Sequence, residues 1–100
     1  MGAQSFVVGA KGKTAQEAFE AAVEEAQYEH GHGGYTGTIA EKSEFKMVKL
    51  PKSKVSDPEE YAERLLWDGV SKFYHDKWNP AAGCFDLGND EYMFFGWASS

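Results

Sequence analysis

The chain has 100 residues, 42% hydrophobic and 15% aromatic, which predicts one packed domain over residues 1–100 and excludes a wholly disordered chain. Its 16 acidic and 10 basic residues give a net charge of −6, which argues against direct non-specific binding to nucleic acid or to a membrane. One cysteine, Cys84, cannot form an internal disulfide, and with neither a leader pattern nor a membrane-spanning run it predicts a cytoplasmic protein.

The first two elements are predicted to be a short strand and an acidic helix. Phe6, Val7 and Val8 predict the strand, and residues 9–12 predict a turn. Thr14 and Glu17 stand at capping-box spacing, so a helix is expected to begin directly after Thr14. Its apolar face has helical periodicity and comprises Ala15, Ala18, Phe19, Ala22, Val23 and Ala26. The opposite face is acidic and carries Glu17, Glu20 and Glu24.

The segment 30–38 is the most distinctive stretch of the chain. Four of its nine residues are glycine, and they alternate with two histidines, a tyrosine and two threonines. Glycine lets a backbone approach a ligand closely or adopt positive φ, and the polar side chains between the glycines can hold that ligand. The segment therefore predicts a binding loop. The expected ligand-binding residues are His30, His32, Gly33, Gly34, Tyr35, Thr36 and Thr38, together with Lys46 and Lys49.

Residues 35–40 and 44–50 predict two strands, and lysines are concentrated around the second. Phe45 and Met47 alternate with Lys46, so the apolar residues first occupy odd positions of the strand. Val48 and Leu50 occupy even positions, and this change predicts a bulge near Met47. The lysines either line a positive face for an anionic ligand or protect an exposed edge strand from pairing. They are Lys42, Lys46, Lys49, Lys52 and Lys54.

A second helix and a hairpin complete the predicted fold. Asp57 as N-cap, followed by Pro58 and Glu60, predicts a helix over residues 58–77. Residues 84–87 and 92–98 predict a hairpin around residues 88–90, and its second strand is apolar on both faces, as a covered central strand is. The element order is β-α-β-β-α-β-β. The predicted fold is an α+β two-layer sandwich: a mixed or antiparallel five-stranded sheet with both helices on one face.

Several residue sets could carry chemistry, but none forms a catalytic or metal-binding signature. His30 and His32, with His75 and Cys84, could supply tetrahedral zinc ligands, yet their spacing matches no zinc finger. Residues 12–14 read like the end of a phosphate-binding loop, but Val7 stands where that loop needs its first glycine. We therefore predict no catalytic residue, no metal ligand and no cofactor, and keep a small metal-dependent enzyme as an alternative.

Residues 12–19, 28–42 and 94–98 resemble small uncharacterised proteins of bacteriophages and prophages. The similarity is most specific over residues 31–42, GHGGYTGTIAEK. The resemblance implies a phage-encoded protein in the host cytoplasm and supplies no catalytic residue. Small phage proteins without catalytic sets are commonly accessory factors that interfere with host machinery or defence, which is an argument from context.

Two mechanisms fit this context. In the first, the Gly-rich loop with Lys46 and Lys49 binds an anionic, nucleotide-like ligand, and a homodimer is one way to complete the site. In the second, acidic helix faces imitate nucleic acid and block a host protein. These faces would carry Glu17, Glu20 and Glu24 on the first helix and Glu59, Glu60 and Glu63 on the second. A Gly-rich pocket favours the first mechanism, and a continuous acidic face favours the second.

Overall fold

A computed structural model describes residues 3–30, 39, 42–50, 57–67 and 81–99. These residues form two helices and four strands. In chain order the elements are β1 (Ala3–Lys11), α1 (Ala15–His30), β2 (Glu44–Met47), α2 (Pro58–Trp67), β3 (Ala81–Gly88) and β4 (Glu91–Ser99). The predicted α+β class is confirmed. The second helix was predicted to reach residue 77, but residues 68–80 lie outside the described part.

The described strands form one mixed sheet in the order β1-β4-β3-β2. β4 is antiparallel to both β1 and β3, and β2 is parallel to β3. Consequently β1, β2 and β3 all run in one direction, and β4 runs against them between β1 and β3. The predicted mixed sheet is therefore present, but the predicted five strands and their order are not matched.

The missing fifth strand was predicted over residues 35–40, of which the structure describes Ile39. Ile39 lies in a short 3₁₀ turn, where its carbonyl accepts a hydrogen bond from the Lys42 N–H at 2.9 Å. Its side chain is fully buried against the helix α1. Ile39 is thus a buried core residue in a turn, and the prediction of a strand at Ile39 is wrong.

The two helices cover opposite faces of the sheet. The α1 core is the buried cluster of Phe6, Ala18, Phe19, Ala22, Ala26, Ile39, Ala82, Cys84, Phe94 and Ala98. The α2 core is the buried cluster of Ala62, Leu66, Phe85, Met93 and Phe95. Phe94 belongs to the α1 core, whereas its neighbours Met93 and Phe95 belong to the α2 core. Because successive strand residues point to opposite faces, the prediction of both helices on one face is wrong.

The connections of the sheet explain why the helices lie on opposite faces. The chain passes from β1 at one edge, through α1, to β2 at the other edge, and then returns through α2 to β3. Crossovers between parallel strands are right-handed in nearly all proteins. Two right-handed crossovers that travel in opposite directions must place their helices on opposite faces, as in doubly wound sheets.

The pairing of β2 shows no bulge near Met47. Residues Glu44–Met47 pair in unbroken register with β3, and the Val48 N–H continues the pairing to the Cys84 carbonyl at 2.8 Å. Phe45 packs on the α1 core, and Val48 and Leu50 pack on the α2 core. Simple alternation thus accounts for the apparent change of phase, because both faces of this segment are covered. The described irregularity of the sheet lies instead in β3, between Asp86 and Gly88.

The local signals for helix starts and for the hairpin are confirmed. The hydroxyl of Thr14 accepts from the Glu17 N–H at 3.1 Å, and the carboxylate of Asp57 accepts from the Glu60 N–H at 3.2 Å. Asn89 and Asp90 adopt φ of 54° and 62°, the left-handed conformation that a two-residue hairpin turn requires. These residue types tolerate that conformation better than other non-glycine residues do.

Glycine at position 83 makes room for an aromatic contact of the α2 core. Gly83 lies opposite Phe95, whose ring packs on Phe85 with centroids 4.6 Å apart. A Cβ atom at Gly83 would lie 2.6 Å from Cε2 and 2.9 Å from Cε1 of the Phe95 ring. The ring therefore covers the bare backbone of the neighbouring strand, and any side chain at position 83 would displace it.

We predict that Gly83→Ala lowers the free energy of unfolding by about 1–3 kcal/mol, because it overpacks the α2 core. Gly9→Ala is the matched control, since a Cβ there meets its nearest neighbour, the Tyr92 carbonyl oxygen, at 3.9 Å. That control is expected to stay within about 0.5 kcal/mol of the parent. Urea unfolding measures both variants, and equal midpoints would contradict the described contact between Gly83 and Phe95.

Candidate functional site

The Gly-rich loop is described only at its two ends. His30 is the last residue of α1, and the chain re-enters the described part at Ile39 and Lys42, which are 0% and 3% exposed. The predicted binding residues inside the loop lie outside the described residues and stay predictions. They are His32, Gly33, Gly34, Tyr35, Thr36 and Thr38. Lys42 was expected on an exposed positive face, but its side chain is buried, so it does not belong to such a face.

The structure does not bring Lys46 and Lys49 close to the ends of the loop. Lys46 follows Phe45 in β2 and therefore points toward the α2 face, whereas Ile39 packs in the α1 core. Lys49 lies just after the carboxyl end of β2, whereas Lys42, at the end of the loop, lies just before the amino end of β2. At about 3.3 Å per residue, a strand of four residues separates these ends by roughly 10 Å. Both lysines are exposed.

The amino terminus of α1, a second possible anion site, already holds a carboxylate of the chain. The carboxylate of Glu17 accepts from the Lys13 N–H at 3.0 Å, while Thr14 accepts from the Glu17 N–H. A bound anion would compete with this internal cap and meet its negative charge. Gly12 has a packing role here, because a Cβ atom would lie 2.6 Å from the backbone nitrogen of Ala18.

Cys84 is a buried core residue, as its apolar surroundings predicted. It is 0% exposed, and burial raises the pKa of its thiol to about 12, with a smaller contribution from the nearby Asp86 carboxylate. A thiol with this pKa stays protonated at neutral pH, so it is a poor nucleophile and a poor metal ligand. Within the described residues, no group of three or more His, Cys, Asp or Glu side chains is placed to hold a metal ion.

We predict that iodoacetamide alkylates Cys84 at least about a hundredfold more slowly in the folded protein than in urea, at mildly alkaline pH. Burial raises the thiol pKa from 9.0 to about 12, which lowers the thiolate fraction, and the buried side chain also excludes the reagent. Mass spectrometry of the alkylated protein measures both rates. Equal rates would show that Cys84 is accessible.

The same pKa difference predicts a pH dependence of stability. The folded-state pKa of Cys84 is raised, so its contribution is complete below about pH 9 and is lost as pH rises toward about 12. Burial also raises the pKa of Tyr92, which acts in the same direction. The difference in the pH dependence of unfolding free energy between the parent protein and Cys84→Ala therefore gives the contribution of the thiol alone.

The outward face of α1 is strongly acidic. Five exposed glutamates lie along it: Glu17, Glu20, Glu24, Glu25 and Glu29. The helix contains no lysine or arginine, and two ion pairs of the described residues, Lys11 with Glu91 and Glu60 with Arg64, involve none of these glutamates. Near the end of this face, the ring of Tyr28 is 91% exposed. Nothing in the described part of the chain therefore neutralises these carboxylates.

The acidic residues of α2 form a separate surface. Glu59, Glu60 and Glu63 are exposed on a helix that covers the other face of the sheet, and Glu60 pairs with Arg64 at 3.3 Å. The two predicted acidic faces therefore do not join into one continuous surface. Trp67 is exposed and is the last described residue of α2, and its ring centroid lies 4.8 Å from that of Trp97. The indole N–H of Trp97 donates a hydrogen bond to the Leu66 carbonyl at 3.1 Å.

A cleft of about 300 Å³ lies where α1 crosses β1. Its described lining consists of the apolar Val8, Ala22, Ala26 and Ile39, the backbone of Gly9, and the carboxylates of Glu25 and Glu29. Glu25 and Glu29 are not among the site residues predicted from the sequence. Their four-residue spacing beside the apolar face of the helix is visible in the sequence, but the position of β1 beneath them is not. The charge of this cleft suits a cation.

No protein-family model matches the chain, and no curated protein or solved structure matches it either. In the part of the chain that the structure describes, no helix is long and apolar enough to cross a membrane.

Proposed function

We propose that this chain is a non-enzymatic accessory protein that binds a basic protein surface through the acidic face of α1. The partner is a protein that otherwise holds nucleic acid, and in the phage context it belongs to the host machinery or to a host defence. The observation that carries the proposal is the row of five exposed glutamates on α1, for which the described residues provide no cation.

The density of charge along α1 supports the imitation of nucleic acid. From Glu17 to Glu29 the helix rises by about 18 Å, at 1.5 Å per residue. Counted along the helix axis, five carboxylates over this length give roughly one charge every 4 Å, close to the 3.4 Å per phosphate along one strand of B-form DNA. They spread over about half of the helix circumference, so a basic groove would meet a band of negative charge of similar axial density.

The face of α1 fits this role better than the face of α2 does. α1 has 16 described residues against 10 for α2, and the α1 glutamates have no described ion pair. On α2, Arg64 lies in the last described turn and pairs with Glu60, so part of the negative charge is neutralised. Electrostatic attraction of a basic partner also depends on the local net charge, which among the described residues is more negative on α1 than on α2.

A second candidate function is the binding of an anionic, nucleotide-like ligand by the Gly-rich loop. It is favoured by the buried Ile39 and Lys42, which hold the returning end of the loop in place. Exposed Lys46 and Lys49 could supply positive charge, although they lie away from the described ends of the loop. Against it, the described cleft nearest to the loop is lined by carboxylates, which repel an anion.

We predict that Glu20→Lys with Glu24→Lys abolishes capture of the partner, because it reverses the centre of the acidic face. The measurement is affinity capture from a bacterial lysate with competing duplex DNA. The proposal expects captured proteins that bind nucleic acid and are displaced by the duplex. The matched control is Glu59→Lys with Glu63→Lys, which changes the net charge equally on the opposite face of the sheet and should leave capture intact. Equal loss in both variants, or capture unaffected by DNA, would contradict the proposal.

The second candidate makes a different prediction. Lys46→Glu with Lys49→Glu should abolish binding of a phosphate-bearing ligand while the free energy of unfolding changes by less than about 0.5 kcal/mol, because both are exposed positions. Isothermal titration with a panel of nucleotides measures it. Binding should also weaken as salt rises, since exposed charges are screened over about 8–10 Å. If no nucleotide binds the parent protein, this candidate is overturned.

A further inference from the structure

We infer that the outer edge of β1 receives an extended basic segment of the partner as an additional strand, whose cationic side chains reach Glu25 and Glu29. This inference rests on the proposed function and specifies how the partner binds. It draws on three features: the outer edge of β1, which no described strand covers, the acidic cleft above it, and the match in spacing between the two.

β1 is an edge strand of the described sheet, and its outward hydrogen-bonding groups can be identified. Its described neighbour is β4, with which all nine of its residues pair. The Gly12 N–H donates to the Asp90 carbonyl at 3.0 Å and continues that register. Alternate residues of an antiparallel strand direct both backbone groups to the same neighbour. Even-numbered residues of β1 therefore face β4, and the N–H and C=O groups of Ser5, Val7 and Gly9 face outward.

Most of the β1 edge lacks the features that usually prevent strand addition. β1 is a long edge strand of nine residues without proline, and its one charged residue, Lys11, stands at its carboxyl end and pairs with Glu91. The other edge, β2, has four residues, two of them charged, and Pro51 follows shortly after it. Because soluble proteins normally protect such edges, an outward backbone of β1 that pairs with none of the described residues favours pairing with another strand.

The cleft above this edge selects a basic occupant. Glu25 and Glu29 line it together with Val8 and Gly9, so two carboxylates lie over the edge of β1. They are one helical turn apart, which is about 6 Å along α1. Alternate residues of an added strand project to the same face about 6.8 Å apart. Two lysines or arginines at alternate positions would therefore stand at nearly the spacing of the two glutamates.

A second copy of the chain fits this edge less well. Antiparallel pairing of two β1 strands about a two-fold axis would place both α1 helices on the same face of the joined sheet. Glu25 and Glu29 of one copy would then face the same residues of the other, and like charges across such an interface are destabilising. The charges therefore favour a basic segment of another protein over a homodimer.

The test uses the whole chain and an octapeptide of alternating valine and lysine as the probe. Gly9→Pro removes one outward N–H without disturbing the pairing with β4, and Gly9→Ala keeps that N–H. We expect Gly9→Pro to weaken peptide binding about tenfold relative to Gly9→Ala. Nuclear magnetic resonance should show the amides of Ser5, Val7 and Gly9 exchanging rapidly in the free protein and becoming protected when the peptide binds. An octapeptide of alternating valine and glutamate is the charge control and should not bind.

Four outcomes would overturn the inference: equal binding by the two Gly9 variants, protection of these amides in the free protein, dimerisation through β1 without peptide, or unchanged amide resonances at millimolar peptide. These results are independent of the charge-reversal experiment on Glu20 and Glu24. If that reversal abolishes capture while the amide resonances of β1 do not change with peptide, the partner binds α1 alone. If the reversal has no effect, the proposed function itself fails.

Discussion

The covering of β4 on both faces is the constraint on which the rest of this structure depends. Phe94 and Phe95 are adjacent, both fully buried, and point to opposite sides of the sheet. Complete burial of one such ring stabilises the folded state by about 1.5–3 kcal/mol, so neither ring can be left facing water in a domain of this size. One helix must therefore cover each face, and the two crossovers must run in opposite directions. The separation of the acidic surfaces follows from that arrangement.

This separation gives the two sides of the molecule different properties. The α1 side carries the glutamates for which the described residues provide no cation, together with exposed Tyr28 and the cleft over the edge of β1. The α2 side carries an ion pair between Glu60 and Arg64 and the contact between Trp67 and Trp97. A partner that recognises charge in a row therefore meets it on one side only. For this reason reversing charge on α2 serves as a control for the same change on α1.

Local chemistry was predictable from the sequence, and long-range pairing was not. Caps at Thr14 and Asp57 and the turn at Asn89 and Asp90 depend on residues within a few positions of one another, and all three are confirmed. The apolarity of both faces of β4 is also visible in the sequence. It is incompatible with the predicted placement of both helices on one face of the sheet. Ile39 shows a different limit, because an apolar residue in a buried turn and one in a strand look alike in sequence. Glu25 and Glu29 were missed because their role depends on β1, which is distant along the chain.

The most direct test of the opposite placement of the helices is the pattern of nuclear Overhauser effects from the Phe94 and Phe95 rings. The structure predicts contacts of Phe94 with Phe19 of α1, whose ring centroid lies 5.5 Å away, and contacts of Phe95 with Phe85 and the α2 core. It also predicts no effect between Phe19 and Leu66, which lie in different cores. Effects that join Phe19 to Leu66, or that connect Phe94 to α2, would place both helices on one face. That result would remove the basis for assigning the partner surface to α1.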